Sequence, residues 1–190
     1  MKLTVHHLSR PKAGERTSGD AAFVRRDGDI VLFAVVDALG HGVHAAPVAE
    51  AAVENLKTTA LDRGVREIMG DLHRALHGTR GAAAMICKWS TGRVQGCGVG
   101  NVELASARVK LPVLLTPGII GMNMRTLHVF EGNVGVGSRI VLYSDGISSS
   151  ILGEDLGALP RDKACERLME KFRKSHDDAT LMIADVEADA

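Results

Sequence analysis

The sequence predicts an α+β layered sandwich, with helices set among runs of antiparallel strands. Two observations carry that prediction. Short apolar, β-branched runs recur along the chain, whereas three other segments repeat their apolar residues at steps of three and four. The strand runs are also grouped by turn pairs instead of alternating one for one with helices, which argues against a wound βαβ sheet.

Taken in order, Asp20 opens a modest strand pattern, Ala21–Val24, and residues 30–36 form an unbroken apolar run expected of a strand buried on both faces. From Val43 to about Ala60 the period becomes helical, with Ala45, Val48, Ala49, Ala52, Val53 and Leu56 on one side. Pro47 is expected within the first turn of that helix. Val65, Ile68, Met69, Leu72 and Leu76 mark a second helix over 65–76. Strands are expected over 82–89, 93–99 and 102–109, parted by the turn pairs Thr91-Gly92 and Gly100-Asn101 at the spacing of an antiparallel meander. Two more are expected over 126–130 and 138–144, on either side of the glycine-rich stretch 131–137. Asp162, behind Pro160, is expected to cap a last helix ending near Phe172, and 180–186 reads as a closing strand. With no repeat, low-complexity segment or linker, residues 1–190 are expected to form one domain.

Composition narrows the function. Hydrophobic residues make up 45% and aromatics 3%, so the core must be built from aliphatic side chains. Lys+Arg and Asp+Glu both total 23, which leaves no long-range pull toward nucleic acid or an anionic membrane. The expected partner is another protein or a small molecule. No apolar run approaches the ~20 residues of a membrane span, and MKLTVHHLSR lacks the apolar centre of a signal peptide. Cys87, Cys97 and Cys165 form no CxxC pair and lie in apolar contexts, as expected of reduced thiols in the cytoplasm.

The unusual feature is where the acids fall. Ile30–Val36 runs straight into Asp37, followed by Ala38-Leu39-Gly40-His41-Gly42. Ile140-Val-Leu-Tyr-Ser-Asp145-Gly146 repeats the design, and His176-Asp177-Asp178-Ala179-Thr180 reverses it ahead of the run Leu181-Met-Ile-Ala. Asp20 is a fourth acid at a strand end. Carboxylates at the rim of a core are costly unless something positive compensates them. No lysine or arginine is adjacent to Asp37 or Asp145 in sequence, though a distant one could approach. A divalent cation could gather several such acids, and all-oxygen ligands select a hard ion such as Mg²⁺ or Mn²⁺. Any one of these acids could equally be a turn former or helix cap.

Taken together, Gly19-Asp20, Asp37-Ala-Leu-Gly-His-Gly42, the strand ending in Asp145-Gly146, and Asp177-Asp178-Ala179-Thr180 resemble the metal-dependent protein phosphatases in their SpoIIE-like form. The order and spacing of these motifs span nearly the whole chain. Arg80-Gly-Ala-Ala-Ala84 and Val99-Gly-Asn-Val102 are most similar to the RsbX-type subgroup. The resemblance implies a four-layer α-β-β-α sandwich of two antiparallel sheets flanked by helices. It also implies two divalent cations, Mn²⁺ or Mg²⁺, and hydrolysis of phosphoserine or phosphothreonine on STAS-domain stressosome proteins by a metal-activated water. Asp37 would bridge both cations, Asp145 and Asp177 would hold the first, the Ala38 carbonyl would serve the second, and Asp20 would reach the cluster directly or through water. Asp37, Asp145 and Asp177 are thus the expected catalytic residues.

Two departures from the family pattern matter. Ala38 stands where most members have glycine, and its methyl would be strained if the position needs φ > 0. Many other branches place a phosphate-holding arginine near the first acid; Arg16 lies four residues before Asp20 as a candidate, and the alternative is that the metals alone hold the phosphate. For function, the alternative is a weak or catalytically dead phosphatase fold that docks on STAS proteins, and Ala38 is its only mark. Among the other motifs, His73 and His77 have a metal-capable spacing but no following glutamate, and read as a solvated helix face. His41 and His44 read as loop or helix-end residues, with His41 also a candidate acid for the leaving group. Asp178 reads as a solvent-facing neighbour or turn former. Gly132, Gly135 and Gly137 are not followed by a helix pattern, so a nucleotide loop is not expected.

Overall fold

In a computed structural model, which describes residues 1–189, the strands divide between two antiparallel sheets. The first contains β2 (Asp20–Asp27), β3 (Ile30–Ala38), β4 (Ala82–Ser90), β5 (Arg93–Val99) and β9 (Val129–Asn133), in that spatial order. The second is ordered β1 (Lys2–Arg10), β11 (Ala179–Glu187), β10 (Arg139–Tyr143) and β6 (Glu103–Ala107). A small hairpin, β7 (Gly118–Ile119) with β8 (Asn123–Met124), lies apart from both. The helices are α1 (Gly42–Thr58), α2 (Val65–Ala75) and α3 (Arg161–Phe172).

Strand alternation explains the layering. In β3, Val31, Phe33 and Val35 pack between the sheets with Leu142, Met182 and Ala184. The alternate residues Leu32, Ala34, Val36 and Ala38 pack against α1 and α2 through Ala45, Ala49, Leu56, Ile68 and Leu72. On the outer face of the second sheet, Val141, Tyr143, Leu181 and Ile183 meet Ala164, Leu168 and Phe172 of α3. The result is the expected α-β-β-α sandwich, with three apolar layers built mostly from aliphatic side chains.

Several sequence expectations need correction. The stretch 82–109 is not one meander. Thr91 and Gly92, both at positive φ (45° and 81°), close the β4–β5 hairpin, but at Gly100 the chain leaves the sheet and β6 pairs with β10 in the other one. The edge beside β5 is taken by β9, which runs three residues later than expected and uses Gly132 to admit the Leu111 side chain. β1 was not expected at all. It pairs along its whole length with β11, but as an edge strand it buries only Leu3 completely, so its sequence carries little apolar alternation. Pro47 lies in the second turn of α1, where it removes the amide that would bond the Val43 carbonyl. Asp162 does not cap α3. The helix begins at Arg161 behind Pro160, and Asp162 sits in its first turn, where the dipole favours an acid. No helix among the described residues is long and apolar enough to cross a membrane, and all three cysteines are buried and free.

Candidate active site

The four strand-end acids converge at one end of the sandwich, between the sheets. β2 and β3 pair so that Asp20 lies directly opposite Asp37. Both side chains continue the alternation that points Val31, Phe33 and Val35 toward the second sheet. From that sheet Ser144, the last residue before Asp145, donates its hydroxyl to Asp20 Oδ2 at 2.6 Å. The same hydroxyl accepts the Thr180 amide at 2.9 Å, and the Ser144 amide bonds the Thr180 carbonyl at 3.0 Å. Ser144 therefore ties the ends of β10 and β11 to the first strand of the opposite sheet.

Asp37, Asp145 and Asp177 line a cleft of about 240 Å³ together with Asn101, His41 and His176. Asp20 lies behind Asp37 and does not line it. The Asp37 carboxyl is close enough to Asp20, Asp145 and Asp177 to feel the charge of all three. Burial first, then the charges of Asp20, Asp145 and Asp177, push its pKa up to about 9. Burial also raises Asp20, to about 7, against the opposing Ser144 hydrogen bond. Asp145 is raised as well, by burial and then by Asp177. One cation does approach from a distance in sequence: Lys174 Nζ donates to the Asp145 carbonyl at 2.5 Å and partly offsets the shift. Asn101 Nδ2 holds Asp145 Oδ2 at 2.6 Å. The cluster thus carries more negative charge than its protein neighbours offset.

This donor set suits a hard divalent cation, being entirely oxygen and short of positive charge. Among the described residues no three His, Cys, Asp or Glu side chains already converge into a closed ligand shell. Asp20 is turned to Ser144 and Asp145 to Asn101. Each of these bonds uses one carboxylate oxygen, so an ion can be taken on the other without giving up that partner.

Ala38 sits in extended backbone at the end of β3, not at positive φ, so the strain that its methyl raised as an expectation is absent. Its amide bonds the Gly19 carbonyl at 3.0 Å, and its methyl is buried on the helix side. Arg16 is exposed and lies outside the cleft.

Asp178 is not solvent-facing. It is 2% exposed, and its carboxylate accepts three main-chain amides: Lys12 at 2.8 Å, Gly19 at 2.6 Å and Gly42 at 3.2 Å. Gly42 opens α1, so the carboxylate also meets the positive end of that helix. Asp178 thereby pins the segment before Asp20 and the loop after Asp37 to the segment carrying Asp177. Its own main chain passes so close to Gly146 that a Cβ there would lie 1.8 Å from the Asp178 carbonyl, which explains the glycine after Asp145. His73 Nδ1 accepts the Gly121 amide at 3.0 Å, so it anchors a loop, whereas His77 is exposed. His41 is engaged at both nitrogens, Nδ1 with Glu15 at 2.5 Å and Nε2 with Lys12 Nζ at 2.9 Å.

Sequence reasoning missed Asn101, Ser144, Lys174 and Asp178 as members of this site. Ser144 and Asp178 had a sequence signal as neighbours of predicted acids, and Asn101 stood in the Val99–Val102 motif without being assigned to the site. Asn101 and Lys174 come from elements whose approach depends on the fold.

The chain matches the family described as Stage II sporulation protein E (SpoIIE) over residues 27–187. Phosphoserine phosphatase RsbX of Bacillus subtilis (strain 168) is 27% identical over 143 residues, covering 72% of this chain and 71% of that protein. A Nitrosospira multiformis protein named probable glycine dehydrogenase (decarboxylating) subunit 2 is 35% identical over 127 residues, 60% of this chain, and the chain spans only 25% of its length. Among solved structures, one from work on the bacterial stressosome as a modular system adapted to control secondary messenger signalling superposes with a TM-score of 0.86. It is 31% identical and covers 97% of this chain and 100% of its own. RsbX in complex with magnesium shares the fold at a TM-score of 0.84 and 21% identity, covering 96% of this chain and 94% of its own.

Proposed function

The chain belongs to the SpoIIE family, and from that premise we propose that it is a metal-dependent protein serine/threonine phosphatase acting on phosphorylated STAS-domain stressosome proteins. The observation that carries the reading is the buried Asp37 set among Asp20, Asp145 and Asp177, the last two lining one cleft with it, where Lys174 only partly offsets Asp145. The kinship with phosphoserine phosphatase RsbX and with a stressosome-derived structure supports the substrate class.

Asp37, Asp145 and Asp177 would hold divalent cations, Mg²⁺ or Mn²⁺, with the Ala38 carbonyl and Asp20 completing a two-ion site. The magnesium complex of RsbX supports the choice of ion. Bound there, the ions would supply Lewis acidity toward the phosphoryl oxygens and lower the pKa of water enough for hydroxide to be available at neutral pH. The chain's own residues supply position and charge. Asp37 is fixed by the buried strand that precedes it, and Asn101 orients the Asp145 carboxylate. Asp178 holds both sides of the cleft in register through its three amides. His41, with both ring nitrogens engaged, is not free to protonate the leaving oxygen.

The competing reading, a dead phosphatase fold that only binds STAS proteins, loses its one mark, because Ala38 is unstrained and keeps its carbonyl. The deciding experiment is incubation with phosphorylated stressosome subunits and Mn²⁺, following individual phosphosites. Loss of phosphate that stops with EDTA is expected. Turnover indifferent to chelation would refute metal dependence, and phosphosites left intact on every STAS protein would refute the substrate class.

A further inference from the structure

We propose that Arg80 is the side chain that receives the substrate's phosphoryl group at the mouth of the cleft. This rests on the phosphatase reading; Arg80 does not itself line the cleft but borders it through Leu39 and Gly40, which do.

The placement is specific. Arg80 Nη1 donates to the Leu39 carbonyl at 2.9 Å, while the Leu39 amide donates to the Gly81 carbonyl at 3.0 Å. Residues 39–40 and 80–81 are therefore laced together, and Leu39 and Gly40 line the same cleft as Asp37, Asp145 and Asp177. The guanidinium lies over Gly40, where an added Cβ would come within 2.4 Å of Nη1, and Gly40 has φ +95°. Any side chain at position 40 would meet the arginine and strain the backbone together.

Arg80 is exposed, and no carboxylate among the described residues forms an ion pair with it. The cation that acts on Asp145 is Lys174, not Arg80. It thus stands off the acid cluster and does not neutralise it. One of its five donors is used by Leu39, and a planar fork with free N–H groups matches the oxygens of a phosphate monoester. Lys174 already directs one of its three donors at the Asp145 carbonyl, inside the acid cluster.

Arg80→Gln and Arg80→Lys test this in the full chain. Calorimetric titration of inorganic phosphate into the Mn²⁺-loaded protein is expected to show binding weakened about tenfold or more in Arg80→Gln, with a smaller loss in Arg80→Lys. On a phosphoserine peptide the KM of Arg80→Gln is expected to rise by a similar factor, with kcat nearly unchanged. Melting temperature and Mn²⁺ affinity should stay at wild-type values, since the Leu39–Gly81 bond survives. The proposal is overturned if phosphate affinity is unchanged, if the wild type binds no phosphate, or if Arg80→Gln loses Mn²⁺ affinity or stability in step with phosphate. The phosphatase reading fails separately, if wild-type protein binds phosphate yet hydrolyses no phosphopeptide.

Discussion

Asp20 and Asp37 lie directly opposite one another on β2 and β3, two carboxyl groups at a position where like charges repel. The fold tolerates the pair because one oxygen of Asp20 is held by Ser144 across the gap between the sheets and Asp37 retains a proton. On the phosphatase reading proposed above, activity and stability place opposite demands on Asp37.

Replacing Asp37 by Asn is expected to abolish phosphopeptide hydrolysis, by a factor on the order of a thousand or more. The same change should stabilise the metal-free protein at pH 7.5 by about 1 kcal/mol or more, since it removes the need to hold a proton on a buried acid. Urea denaturation alongside the activity assay checks both. Loss of activity accompanied by loss of stability would mean that Asp37 is structural.

Metal-free protein should become less stable as pH rises. The folded pKa of Asp37, about 9, lies above its unfolded value near 3.8, so the native state binds more protons than the unfolded state between these limits. Its contribution is fully present below pH 4 and has been lost by pH 9, and Asp20, raised to about 7, adds a loss of the same sign. Mn²⁺ competes with those protons, so its stabilising effect should grow with pH. Thermal melts from pH 5 to 8.5, with Mn²⁺ and with EDTA, measure this. A metal-induced shift that shrinks as pH rises would contradict the acid cluster as the binding site.

Asp178→Ala should cost about 3 kcal/mol or more, because three main-chain amides lose a charged acceptor. Asp178→Asn, which keeps an acceptor oxygen, should cost less. In both variants Mn²⁺ affinity should fall with stability, since Asp178 holds the segments that carry Asp20, Asp37 and Asp177. Unchanged Mn²⁺ affinity in Asp178→Ala would show that the acids are positioned without it.

Ala38→Gly should not improve the protein. The residue is in extended backbone with its methyl in the helix-side core, so glycine removes packing and adds chain entropy, costing about 1 kcal/mol. Mn²⁺ affinity and kcat should stay within about twofold of wild type. A marked gain in either would restore Ala38 as a defect in the site.

The sequence by itself determined the layers and the acids. Ile30–Val36, Ile140–Tyr143 and Leu181–Ala184 announce strands because full burial demands unbroken apolar runs, and Asp37, Asp145 and Asp177 stand out as the charges that interrupt them. α1 and α2 were legible through their 3.6-residue period, which is a local property. Tertiary structure alone decided what met across the sheets. That β6 joins β10 and not β5, that Ser144 reaches Asp20, and that Lys174 and Asn101 both come to Asp145 depend on partners tens of residues away. Hydrophobic alternation says which face of a strand is buried, but not which strand lies beside it. For the same reason Asp178 looked like a solvent-facing neighbour of a ligand. Only the packed chain brings Lys12, Gly19 and Gly42 to its carboxylate, and makes it the residue that holds the cleft together.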